Sequence, residues 1–207
     1  MKVSLTDAGK RFNRDWIFRH FSYTFEKGNS YAITGPNGSG KSTLLQVLSG
    51  SMQLSEGNGE WAADNGQLAN EDVYKQVSLC APYLEVVEEM TLIEFLEFHH
   101  HFKPLLSSVS IDNIISTIGL QGSAINKQIR YYSSGMKQRV KLAQAIFSDT
   151  SFLLLDEPCT NLDTTGIELY HELINKYCTN RLVIVSSNDE VEYRFCKERI
   201  NITDHKK

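Results

Sequence analysis

The stretch GPNGSGKST, Gly35 to Thr43, decides the fold. A short apolar run, Tyr31 to Ile33, leads into it, and Leu44, Leu45, Val47 and Leu48 follow at the spacing of one helical face. The order is therefore strand, glycine loop, helix. Gly35, Gly40, Lys41 and Ser42 fill the pattern GxxxxGK[ST]. Glycines let the backbone turn with positive φ and approach a ligand closely, so that successive N–H groups converge on phosphate oxygens at a helix N-terminus. Pro36, Asn37, Gly38, Ser39 and Thr43 complete the expected cradle. Lys41 adds a point charge for the β and γ phosphates. The hydroxyl of Ser42 suits Mg²⁺, a hard cation that takes oxygen ligands.

Composition bounds the partners. The 207 residues fit one large α/β domain, with room for a smaller insert but not for a second full domain. Lys+Arg 21 against Asp+Glu 25 give a net charge of -4, so no basic excess points to nucleic acid and no basic amphipathic run points to lipid. The four cysteines (Cys80, Cys159, Cys178, Cys196) lie far apart without a CxxC pair, the pattern of reduced thiols in a cytosolic protein. No apolar segment approaches roughly 18 residues, so no direct membrane insertion is expected and any membrane role comes through a partner.

Before the loop, Val3 and Leu5, then Phe21, Tyr23 and Phe25, alternate with other residues about a turn at Asn13 to Asp15. This predicts an antiparallel β start. Its aromatics Phe12 and Trp16 could stack on an adenine ring, with sheet packing the better role for Trp16. After the first helix, Gly57 and Gly59 are read as flanking a turn into Trp61, and Val77, Leu79 and Ala81 as a short alternating strand closed by Pro82. Leu92 to Phe102 recurs at helical spacing, with Thr91 as N-cap and Glu94 completing a capping box. The run His99, His100, His101 cannot converge on one ion from consecutive helical positions, and a solvated face is expected there. Ile111 to Ile118 predicts a second helix.

In the second half, Ser133, Ser134 and Gly135 open a helix carrying Val140, Leu142, Ala143 and Ile146, with a serine hydroxyl and free N–H groups at its start. Phe152 to Leu155 reads as a buried parallel strand ending in Asp156 and Glu157. Ligands of open α/β sheets sit beyond the carboxyl ends of the strands, which puts Asp156 in position to serve a metal shell and Glu157 to polarise a water. Leu162 and Asp163 begin another helix, Leu182 to Val185 forms a further strand ending at Ser186, Ser187 and Asn188, and the remainder is read as short and polar with Lys206 and Lys207 a solvated tail. The expected fold is α/β: a P-loop NTPase core of mostly parallel sheet, with an N-terminal antiparallel β part and a helical subdomain inserted at about residues 83–150 of a single domain, 1–207.

This order of motifs resembles the ATP-binding subunit of ATP-binding-cassette (ABC) transporters along essentially the whole chain. YSSGMKQR, Tyr132 to Arg139, looks like the family's LSGGQ signature, matching at Ser133 and Gly135. The resemblance implies ATP and Mg²⁺ as ligands and a head-to-tail dimer, in which Ser133 and Gly135 face the γ-phosphate held by the opposite subunit. It further implies that Asn161, Leu162 and Asp163 cross that interface, that Phe12 stacks on adenine, and that an integral membrane permease holds the protein at the inner face of the membrane. Three positions depart from the family pattern. The strand before the helical insert ends in Ala81, Pro82 and Tyr83 instead of glutamine, Ser134 and Met136 replace a glycine and glutamine of the signature, and Asn188 stands where a switch histidine is usual. An amide donates a hydrogen bond but cannot carry imidazole's positive charge. The favoured function is an ATPase powering a permease, with Glu157 and Asn188 as catalytic residues. The alternative is a nucleotide-gated module with little hydrolysis. Residues 82–102, with apolar Tyr83, Leu84, Val86 and Val87, are the expected permease socket.

Overall fold

The computed structural model describes residues 1–63 and 66–205. Lys206 and Lys207, expected as a solvated tail, lie outside the described residues. Along the chain run β1 (Lys2–Phe12), β2 (Asp15–Glu26), β3 (Ser30–Thr34), α1 (Lys41–Leu48), β4 (Glu56–Ala63), β5 (Gly66–Gln67), α2 (Val73–Gln76), β6 (Val77–Cys80), α3 (Leu92–Phe102), α4 (Ile111–Thr117), α5 (Ser134–Phe147), β7 (Phe152–Asp156), α6 (Thr164–Tyr177), β8 (Leu182–Ser186), α7 (Glu190–Tyr193) and β9 (Glu198–Asn201). They gather into two compact units: Met1–Leu79 with Thr150–Asp156 and Thr179–Lys207, and Cys80–Asp149 with Glu157–Cys178.

The first unit contains both sheets. Strands β1 and β2 form the expected antiparallel hairpin, pairing Val3 with Phe25 and Leu5 with Tyr23, and the sheet is completed in the order β2-β1-β4-β5. The second sheet runs β6-β7-β8-β3-β9, with the β7–β8, β8–β3 and β3–β9 pairs parallel. Every residue of β7 and β8 is buried, which explains why both read as continuous apolar runs instead of alternating ones. Helix α1 packs on these two strands, and Leu44, Leu45, Val47 and Leu48 enter one core with Phe18, Phe21, Phe25, Tyr31 and Trp61. The indole N–H of Trp61 donates to the carbonyl of Leu48 at 2.8 Å, so this large ring is buried without an orphaned donor.

Gly57 and Gly59 do not flank a turn, because both lie inside β4. Gly57 has φ +78, and a Cβ added there would stand 2.1 Å from the backbone oxygen of Asp7. The glycine serves a close strand approach beside an irregularity in the β1–β4 register between Thr6 and Gly9. Ala81 lies beyond the end of β6, and that strand is largely buried on both faces instead of alternating. The polar C-terminal remainder contains β9, which pairs in parallel with β3 and buries Ile200.

The second unit is helical. Thr91 caps α3 in the predicted capping box with Glu94, and Ser110 caps α4 in a similar box closed by Asn113. Leu92, Phe95 and Leu96 of α3, Ile114 and Ile115 of α4, and Val140, Leu142 and Ala143 of α5 are buried. The histidine run is not a uniform solvated face. His99 is half-buried, with Nε2 2.8 Å from Ser148 Oγ and Nδ1 3.1 Å from the Gln144 amide. Ser148 donates its proton to the Gln144 carbonyl at 2.6 Å, so Nε2 of His99 is the donor in that contact. Burial, aided by the charges of Lys103 and His100, pulls the His99 pKa down to about 4 and keeps the ring neutral. His100 and His101 point elsewhere, toward the Leu105 N–H and the Glu97 carbonyl.

Candidate functional site

In the first unit, β3 delivers the chain into the glycine loop and α1 begins at Lys41. Gly35, Gly38 and Gly40 take φ of +143, +75 and +105, the conformations that the motif's glycines were expected to supply. Gly40 is also pressed from outside, since an added Cβ would lie 2.3 Å from Cγ2 of Ile17 in β2. As the N-cap of α1 it offers no side chain to the first-turn N–H groups, which leaves them free for an external acceptor.

Lys41 is 6% exposed. Its ammonium donates to the carbonyls of Gly35 at 2.8 Å and Pro36 at 3.5 Å, and among the described residues no carboxylate forms an ion pair with it. A desolvated cation held only by dipoles has charge to spare for an anion. Ser39 Oγ, buried inside the same loop, has no hydrogen-bond partner among the described residues. These features fit a bound polyphosphate. Thr43 follows Ser42 in the first turn of α1.

The sheet register brings the metal candidate to the same end. Asp156 pairs with Ser186, and Ser186 pairs with Ile33, so one row crosses β7, β8 and β3 just before the loop. Two strand spacings put Asp156 about 10 Å across the sheet from Ile33. Asp156 is 3% exposed. The hydroxyl of Ser42 and the carboxylate of Asp156 are both hard oxygen donors, the chemistry Mg²⁺ requires.

Asn188 follows β8 and reaches the loop directly. Its Oδ1 accepts from the N–H of Gly35 at 3.2 Å, and its Nδ2 donates to Oδ1 of Asn37 at 3.0 Å. Both ends of the amide are thus committed to the loop's own atoms, an arrangement that braces the loop. Phe12 ends β1 with 47% of its surface exposed, and the Lys10 ammonium lies 5.4 Å from its ring centroid. Trp16 is taken up by packing, its ring faced by the guanidinium groups of Arg19 at 4.5 Å and Arg11 at 5.4 Å.

The second unit holds the other candidates. Ser133 caps α5, accepting from the N–H of Met136 at 3.3 Å, and Gly135 sits in the first turn. A Cβ on Gly135 would lie 3.0 Å from the carbonyl oxygen of Asn161, so glycine permits close approach of the 157–163 segment. Asp163 caps α6 and accepts from Gly166 N at 2.8 Å; that bond, with the Thr165 hydroxyl next, holds its carboxyl below the usual carboxylate range. Glu157 adopts φ +43, a left-handed conformation that costs a non-glycine residue about 1–3 kcal/mol. Nothing in the sequence pattern predicted that strain. Gln138 was also passed over, although its spacing of four from Leu142 and seven from Ala145 places a polar side chain on the buried face of α5.

A glycine loop entered from a parallel strand, with a buried lysine and an aspartate in the adjoining row, defines a phosphate-loop nucleotide-binding protein. The comparisons with known proteins carry this further. The ABC transporter family model matches residues 18–160. The uncharacterized ABC transporter ATP-binding protein YybJ of Bacillus subtilis is 32% identical over 174 residues, covering 83% of this chain and 78% of its own. The lantibiotic transport ATP-binding protein SrtF of Streptococcus pyogenes is 27% identical, covering 92% and 82%. Among solved structures, the dimeric MJ0796 cassette in a post-hydrolysis state bound to ADP and Pi superposes with a TM-score of 0.80 at 22% identity, over 97% of this chain and 94% of that one. The chain belongs to the ABC transporter family, as an ATP-binding subunit.

The bracing role of Asn188 is directly measurable. Asn188→Ala should weaken ATP binding about 2- to 10-fold, the range for one side-chain hydrogen bond of roughly 0.5–1.5 kcal/mol. Asn37→Ala should add little once Asn188 is gone. Calorimetric titration of the two single variants and the double variant checks this, and fully additive losses would show that the two amides act separately.

Proposed function

We propose that this subunit binds MgATP in the Gly35–Thr43 loop and hydrolyses it with Glu157 handling the attacking water. The observation that carries the reading is the buried ammonium of Lys41, which has no carboxylate partner among the described residues, at the start of a helix whose N-cap Gly40 offers no side chain to the first-turn N–H groups. Lys41 and the loop N–H groups bind the β and γ phosphates, and Phe12 offers an exposed face to the base. Ser42 and Asp156 would hold Mg²⁺, which neutralises phosphate charge when bound. Glu157 orients or deprotonates the water, and Asn188 keeps the loop in its binding shape. Ser133 and Gly135 complete the site of a second, head-to-tail copy; the dimeric state of the MJ0796 cassette supports this assembly.

No helix among the described residues is long and apolar enough to cross a membrane. Attachment to the inner face of a membrane therefore rests, in this proposal, on an integral permease. Within the second unit, Tyr83, Leu84 and Val87 are exposed at 46%, 39% and 38%, whereas Val86, expected to join them, is buried. Beside them a cleft of about 200 Å³ is lined by Pro82, Glu85, Lys137 and Lys141, among others. Exposed apolar side chains around a polar cleft suit the end of a permease helix.

Two experiments test this. Lys41→Ala should abolish calorimetric ATP binding, while Glu157→Gln should retain binding and slow hydrolysis by about 10²–10⁴-fold, as expected for loss of a general base. Unchanged affinity in the first, or a wild-type rate in the second, contradicts the assignment. For docking, Tyr83→Glu with Leu84→Glu should abolish co-purification with a permease that the unaltered protein retains, while leaving soluble ATPase activity intact; a folded double variant that still co-purifies removes this surface from consideration.

A further inference from the structure

Gln138 is a buried polar residue that no step above uses. It lies in α5, is 4% exposed, and belongs to the same compact unit as Glu157. Its amide nitrogen donates to the carbonyl of Pro158 at 2.7 Å and stands 3.8 Å from Sγ of Cys80. Both protons of that NH2 group are therefore directed, one at the residue after Glu157 and the other at the end of β6.

The segment it grips is under constraint. Glu157 is held at φ +43, and a non-glycine residue stays there only where its surroundings over-determine the backbone. Three features do so. Pro158 has a ring-locked φ, so a hydrogen bond on its carbonyl is transmitted stiffly to the preceding peptide. The N–H of Thr160 donates to the carbonyl of Glu157 at 3.2 Å, closing a turn. The carbonyl of Asn161 lies so close to Gly135 that an added Cβ would stand 3.0 Å away, and Arg139, one residue beyond Gln138, reaches Asp163 Oδ1 and Thr165 Oγ1 at 3.4 Å each. The serine-capped start of α5 and the 157–163 segment are thus tied together within the unit, with the buried Gln138 bond falling on the residue after Glu157.

We propose that Gln138 is a positioning residue for Glu157, fixing the Glu157–Pro158 backbone so that the carboxylate is presented to the attacking water. The inference rests on the reading of Glu157 given above.

The test is steady-state kinetics and calorimetry on Gln138→Leu and Gln138→Met, each alone and combined with Glu157→Gln. Leucine and methionine keep bulk at the site and remove the donor. The expected result is ATP affinity and KM within about twofold of wild type, with kcat lowered roughly 10- to 100-fold, the scale of a misplaced catalytic group. Neither substitution should lower the rate further in the Glu157→Gln background, because its effect runs through that carboxylate. A residue that merely supported the fold would lower binding as well, and would act equally in both backgrounds. Unchanged kcat in the single variants, loss of ATP binding, or full additivity with Glu157→Gln overturns the proposal. A wild-type rate in Glu157→Gln alone would overturn the reading of Glu157 and this proposal with it, whereas a slow Glu157→Gln beside a normal Gln138→Leu overturns this proposal only.

Discussion

A single ammonium group, that of Lys41, is held almost out of water by the carbonyls of Gly35 and Pro36. That arrangement is the constraint on which the first unit depends. It requires a loop whose Gly35 and Pro36 carbonyls turn toward the ammonium, and hence a tight turn with glycines at positive φ at three of its positions. It also requires a rigid platform. The all-buried strands β7 and β8 with α1 packed on them supply one, and the amide of Asn188, at the exit of β8, pins the loop at Gly35 and Asn37. Asparagine suits that task because its short, uncharged amide presents a donor and an acceptor together at any pH. The departure from the family's usual switch residue is thereby given a physical use.

The second unit solves a different problem. A carboxylate that is to handle water must be held by its backbone, since its own side chain has to stay free of strong partners. The left-handed conformation of Glu157, the turn closed by Thr160, and the bond from Gln138 to Pro158 supply that hold from within the unit. Gly135 has a second use in this picture. It is a signature position by resemblance, and it also lets the Asn161 carbonyl approach to where an added Cβ would be only 3.0 Å away. Asp156 and Glu157 are neighbours in the chain, yet Asp156 belongs to the first unit and Glu157 to the second.

Much of this was legible in the sequence, for identifiable reasons. The strand, loop and helix around Gly35–Thr43 could be read because each has a strong local cause: an apolar run, obligatory glycines and a 3.6-residue repeat. The capping box at Thr91 and Glu94 was equally local. What escaped depends on tertiary placement. Strand β9, Glu-Arg-Ile-Asn, has one apolar residue in four and pairs only because the edge of β3 is available. Gly57 and Gly59 look like turn residues in isolation and are strand residues beside β1. His99 turns inward because Ser148 and Gln144, far along the chain, await it. The strain at Glu157 and the burial of Gln138 leave little trace in composition, although the helical spacing of Gln138 did mark it as a polar residue facing inward.

The central claim is that the phosphate loop of one copy works with the serine-capped helix of another. Mixing two defective proteins tests this most directly. Lys41→Ala lacks the loop's charge. Ser133→Asp keeps a competent helix cap but sets a negative charge where phosphate is to arrive. Each alone should fail to hydrolyse ATP, and a mixture should regain activity, because the mixed dimer pairs an intact loop from the Ser133→Asp copy with an intact helix start from the Lys41→Ala copy. A mixture no more active than its components would contradict the account, since that is the result expected if loop and helix serve one site within a single chain.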